Sequence, residues 1–190
     1  MIFGESTLWY LSRATGVVSI VLLTIVVILG VVTAGRRRPD GASATVAMGV
    51  HRWLSMGMLV FLITHIITAI VDGFVNISWL AVVVPFISEY EPLLVGFGAI
   101  GVDLLVAILV TSFLRHRMAE RQWRFVHWAT YGMWLVAIIH GFSFGTADQP
   151  VLRLVTLGCG VIGGLAASWR VATSFADRNR RTEVASQEWS

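Results

Sequence analysis

Hydrophobic positions in this chain neither alternate nor recur at every third or fourth residue; they run on without a break. Five continuous apolar stretches, residues 8–33, 46–71, 93–114, 125–144 and 151–172, can be read along the sequence. Each is long enough to cross a hydrocarbon core of about 30 Å as a helix. Unbroken runs exclude a β-barrel, whose strands alternate between lipid-facing and lumen-facing residues. Most connections are short, so neighbouring segments are antiparallel. The expected fold class is all-α, an integral membrane bundle of five transmembrane helices. Residues 1–174 form one transmembrane domain, and residues 175–190 a polar, flexible tail.

Composition agrees: 56% of residues are hydrophobic and 13% charged, with a mean hydropathy of +0.78. All 14 basic residues are arginine, and they sit mainly in polar connections. Arginine placed in this way marks membrane topology, not a nucleic-acid surface. Arg36, Arg37 and Arg38 follow the first segment, Arg115, Arg117, Arg121 and Arg124 the third, and Arg178, Arg180 and Arg181 the fifth. The opposite connections carry Asp72, Glu89, Glu91 and Asp148, with no arginine before Arg153. The positive-inside rule therefore puts the N-terminus outside and the C-terminus in the cytoplasm. The first segment reads as a retained helix: its apolar run is too long for a signal peptide, and no basic region precedes it. The single cysteine, Cys159, excludes an internal disulfide and any multi-cysteine metal cluster, and reads as a small buried residue.

Chemistry enters with histidine. His51 and His65 lie 14 residues apart on the second segment, and His127 and His140 lie 13 apart on the fourth. At a rise of about 1.5 Å per residue each pair spans roughly 20 Å along its helix. The topology places His51 and His127 on the cytoplasmic side, and His65 and His140 on the outer side. Imidazole is a suitable axial ligand for haem iron. Two parallel helices with histidines at matched depths suit two stacked b-type haems, with electrons passing from one face to the other. Arg13, a turn inside the first segment, is a candidate partner for an outer haem propionate, with snorkelling to headgroups as the alternative. Arg52, beside His51, is the corresponding candidate on the inner side. The 14-residue pair returns to within about 40° of one helix face, but the 13-residue pair is about 140° apart. A tightened turn near Gly132, or haems approached from different flanks, would reconcile the second pair with its role.

Other features are secondary. His116, among arginines in a connection, is a surface histidine. Residues 79–86 are apolar but too short to span, and should lie in the interface or fold as a lid over the outer end. Asp103, near the middle of the third segment, is expected to play a structural role or to support a ligand from behind. Asn76-Ile77-Ser78 matches a glycosylation sequon, a weak pattern.

The joint pattern of two histidines 14 apart on one helix and two 13 apart on the next but one resembles the ferric reductase-like transmembrane domain family. That family includes NADPH oxidases, eukaryotic ferric reductases and the bacterial haem subunit that serves periplasmic methionine sulfoxide reductase. The resemblance covers about residues 9–169 and implies that His51 pairs with His127 on an inner haem, and His65 with His140 on an outer one. Many members add a sixth helix or a cytoplasmic flavin and nicotinamide domain. This sequence has no Gly-rich dinucleotide fingerprint. The expected function is therefore a di-haem b-type membrane cytochrome subunit, an oxidoreductase module without its own hydride chemistry. It would exchange electrons with a quinol or a separate flavin-containing or reductase subunit, in the cytoplasmic membrane of a bacterium. Two other readings are a metal or proton conduit lined by the four histidines and Asp103, and a scaffold whose histidines are interhelical hydrogen bonds.

Overall fold

A computed structural model describes residues 5–34, 41–73, 75–145 and 149–188. Arg36, Arg37, Arg38 and Asp148, part of the topology signal, lie outside the described residues, as do the side chains of Arg178, Arg180 and Arg181. The described chain folds into five long helices: α1 (Glu5–Ala34), α2 (Gly41–Val71), α3 (Pro92–Phe113), α4 (Glu120–Ser143) and α5 (Pro150–Glu188). No strand occurs among the described residues. Four helices, all but α4, combine the length and the apolar composition needed to cross a membrane. Helix α4 is long enough for four turns and more, but it opens on Glu120, Arg121 and Arg124, which dilute its apolar run. The apolar part of α5, Pro150–Ser174, agrees with the expected stretch 151–172, and the helix continues past it to Glu188.

Helix α1 is the axis of the bundle. It packs against α2, α4 and α5, and it contributes Ile20, Leu23, Val26, Val27 and Val31 to the buried core. Its polar residues do not break it, because hydroxyls inside a helix can bond back to the preceding turn. Thr15, Ser19 and Thr24 donate to the carbonyls of Leu11, Thr15 and Ile20. Helices α1 and α2 form one tight pair, and α3 and α4 another. The pairs meet where α1 packs on α4, whereas α2 stays apart, making no more than marginal contact with α3 or α4. The two pairs also meet through side chains in one apolar layer of Leu23, Val27, Met58, Leu105, Ile108, Met133 and Trp134.

The connection between α2 and α3 is compact. Ser78 caps a 3-10 helix (Trp79–Val82) that packs on α3, and Ala81 is 1% exposed. Phe86 adopts a left-handed backbone (φ 68°) and lies against Gly96, where a Cβ would collide with its ring. The expectation of a lid is met in part: Val75, Ile77, Ala81 and Val82 line the cavity described below.

Candidate functional site: two rungs of paired histidines

The four histidines fall into two groups, one at each end of the apolar layer. At one end, called outer after the expected topology, the rings of His65 (α2) and His140 (α4) have centroids 6.2 Å apart and stand nearly perpendicular, at 84°. Each is oriented by the main chain of a neighbouring helix. His65 Nδ1 donates to the Ser12 carbonyl at 2.8 Å, and the Ser12 hydroxyl donates to the His65 carbonyl at 3.3 Å. His140 Nδ1 donates to the Leu94 carbonyl at 2.8 Å. A ring nitrogen facing a carbonyl must carry the proton, so Nε2 of both rings keeps its lone pair.

Glycines make room for these rings. A Cβ on Gly16 (α1) would lie 2.9 Å from His65 Nδ1, and one on Gly98 (α3) 2.8 Å from His140 Cε1. Gly30, 14 residues along α1 from Gly16, faces His51 at 3.9 Å. Antiparallel to α2, helix α1 thus repeats the histidine spacing in glycines. Gly98→Ala is expected to push the His140 ring from the Leu94 carbonyl and to destabilise the fold by ~1–3 kcal/mol, the range for overpacking. Thermal unfolding in detergent checks it; an unchanged midpoint counts against the tight seat.

A cavity of about 590 Å³ opens between the two helix pairs, and His65, His140, Gly16 and Gly98 line it. Arg13 and Arg153 also line it, from α1 and α5. Arg13 donates to the Phe144 carbonyl at 2.5 Å and lies 4.4 Å over the Trp9 ring. Arg153 lies 4.5 Å over Phe142. Arg13 therefore sits in the cavity wall, where the sequence reading placed a propionate partner, and Arg153 is a second such residue that it missed. The available signal was charge: an arginine on the acidic, outer side opposes the topology rule.

At the inner end His51 (α2) and His127 (α4) are close enough to interact electrostatically. Their surroundings differ from those of the outer pair. Nδ1 of both rings is buried and has no hydrogen-bond partner; His51 faces the Val26 carbonyl, but not in a geometry that completes a bond. The Trp123 ring stacks on His127, with centroids 4.8 Å apart at 21°. Arg52 is exposed beside His51. His116 is exposed, in a 3-10 helix (Arg115–Arg117), as expected.

The uneven spacing on α4 needs no special turn. The helix is regular from Glu120 to Ser143, through Gly132. His127 and His140 therefore leave it on different flanks. Asp103 is exposed on α3, and backbone carbonyls, not this carboxylate, orient His65 and His140.

The donor set limits the chemistry. Among the described residues no three of His, Cys, Asp and Glu converge to hold a metal ion. Two imidazoles are too few for a zinc site, which takes four ligands or three and a water. They match the two axial positions of a haem, because the porphyrin supplies the rest. Two imidazoles sharing one metal at about 2 Å have centroids roughly 6 Å apart, and the outer pair stands at 6.2 Å. The outer pair, with each Nδ1 bonded to a carbonyl and Nε2 left with its lone pair, is a donor set that would suit haem iron; at the inner end the Nδ1 atoms find no partner among the described residues.

No curated protein and no solved structure matches the chain. A family model does match, over residues 15–138, a span that holds His51, His65 and His127 and stops just before His140. That model describes the ferric reductase like transmembrane component, it covers well over half of the sequence, and the chain belongs to this family.

Proposed function

We propose that the chain is a di-haem b-type cytochrome module that carries electrons across a membrane. His51 and His127 hold the inner haem, and His65 and His140 the outer one. The observation that carries this reading is the outer pair: two imidazoles from different helices, 6.2 Å apart, each with Nδ1 committed to a carbonyl. Bound haem supplies an iron that cycles between the ferric and ferrous states.

The chain's own residues do the rest. The Ser12 and Leu94 carbonyls fix the tautomer of His65 and His140 and raise their basicity as ligands. Gly16 and Gly98 set the depth of the rings. Arg13 and Arg153, in the wall of the same cavity, provide two cations for two propionates. Met58 lies halfway between His51 and His65, and Met133 near the midpoint of His127 and His140. With Leu105 they form a dry layer between the rungs, so electrons cross without a water-filled path.

In this reading α4 is the fifth span. Helices α3 and α5 are both long and apolar enough to cross, and α4 joins the end of one to the start of the other. The arginine-rich connections lie in the cytoplasm and the N-terminus outside, in a bacterial cytoplasmic membrane. The electron donor and acceptor are a quinol or a separate flavin-containing or reductase subunit.

A reduced-minus-oxidised spectrum of the purified chain tests the proposal. A b-type α band with two haems per chain is the expected result. A folded preparation that takes up no haem overturns it.

A further inference from the structure

We propose that Trp123 is a binding residue of the inner site, whose indole N–H donates to a haem propionate with Arg115 beside it. The inference rests on the haem reading above and adds a contact to it.

Trp123 lies one turn before His127 on α4, and its ring is clamped by two neighbours. His127 stacks on one side at 4.8 Å, and the Arg115 guanidinium covers the ring at 4.4 Å. The clamp fixes the plane of the indole, so Nε1 can be satisfied only by an acceptor near its edge. Among the described residues there is none: Nε1 is buried and has no hydrogen-bond partner. A buried indole N–H normally finds an acceptor. Trp134, three turns along the same helix, does so, donating to Thr24 Oγ1 at 3.0 Å.

The missing acceptor has a location. Among the described residues the buried side-chain atoms without a partner are Trp123 Nε1 and the Nδ1 atoms of His51 and His127, all at the inner end. At the outer end both imidazoles are bonded. Among the described residues, then, one rung is complete and the other leaves an indole donor open to a ligand with acceptor atoms. The acceptor also has a charge. Arg115 lies against the indole, Arg117 shares its 3-10 helix, and Arg121 and Arg124, the latter paired with Glu120, open α4. An oxyanion accepts more strongly from such donors than a neutral carbonyl does. A haem between His51 and His127 brings two carboxylates to this end of the bundle. A lipid phosphate is the other source of the same chemistry, and the test separates the two.

The protein is purified with both haems in nanodiscs, and haem loss to a scavenging apoprotein is followed spectroscopically. Trp123→Phe keeps the stacked ring and removes only the N–H. One haem is expected to leave roughly ten- to a hundredfold faster, the range for a lost hydrogen bond to a charged group, and the other at the wild-type rate. In a second arm the unaltered chain is reconstituted with haem dimethyl ester, whose propionates are blocked. Esterification should accelerate loss at the inner site at least as much as the substitution does, because it also removes the charge that Arg115 meets, and its effect should be smaller in Trp123→Phe than in the unaltered chain. This arm also answers if the variant fails to accumulate. Unchanged haem loss in the variant, or an ester effect that adds in full to the substitution, overturns the inference and leaves the di-haem reading standing. Faster loss that appears only in discs with anionic phospholipid assigns the site to a lipid phosphate and also overturns it. A chain that binds no haem overturns both.

Discussion

Replacing His65 by alanine is expected to leave one haem per chain in place of the two proposed for the native chain, and to reduce transmembrane electron transfer to background. The outer site has two protein donors and no third group near enough to substitute, since no further His, Cys, Asp or Glu converges on it among the described residues. Losing one imidazole leaves His140 still bonded to Leu94 but with nothing opposite it. His140→Ala should therefore do the same damage, and the double variant no more, because the two rings act as one unit. The inner pair lies roughly 20 Å away along the helices, beyond the layer of Met58, Leu105 and Met133, so its haem should remain. Haem per chain comes from the alkaline pyridine spectrum. Transfer comes from proteoliposomes loaded with ferricyanide and reduced from outside with dithionite. Two haems retained in His65→Ala would remove His65 from the ligand set.

The second large effect falls on stability. Trp134→Ala is expected to cost about 3 kcal/mol, at the lower end of the range for truncating a buried tryptophan. Trp134 is 5% exposed, donates to Thr24, and rests on Gly163, where a Cβ would collide with the indole. It thereby ties α4 to α1 and α5. In lipid the transfer of apolar surface from water contributes little between helices, so the loss is mostly of close contacts and the hydrogen bond. Thr24→Val, which removes the acceptor but keeps the volume, should cost about 1–3 kcal/mol, because it strands the indole donor. Denaturation in detergent separates the two variants; equal losses would mean that packing contributes nothing measurable.

Much of this architecture was legible in the order of residues. Long apolar runs have one solution in a membrane, and the helix bounds fell close to the breaks in those runs. The histidines were legible because a polar ring inside such a run is conspicuous. Their neighbours were not. Gly16 and Gly30 repeat the histidine spacing on α1, but glycine is common in membrane helices and carries no chemistry of its own. The acceptors for His65 and His140 are backbone carbonyls, which every residue has, so no sequence pattern could reveal Ser12 or Leu94 in that role. Arg153 and Trp123 were hidden differently. Each reads as an ordinary interfacial residue until the fold brings it to the cavity wall or to the His127 ring. Asp103 is the reverse case. A carboxylate in mid-segment draws attention in a string, yet its exposed position on α3 takes it away from the imidazoles that the backbone already orients.

The separation of α2 from α3 and α4 has a consequence for how the chain matures. The α1–α2 and α3–α4 pairs share side chains in one layer, and on the His65 and His140 side of it a cavity separates α2 from α4. In the di-haem reading, a haem ligated from α2 on one side and α4 on the other would be a cross-brace as well as an electron carrier. Free energy of ligation adds directly to free energy of folding, by about 2.7 kcal/mol for each site held at a hundred times its dissociation constant. The bundle should thus behave as a ligand-assembled protein, whose standing level in the membrane follows the supply of haem and not only the rate of its own synthesis.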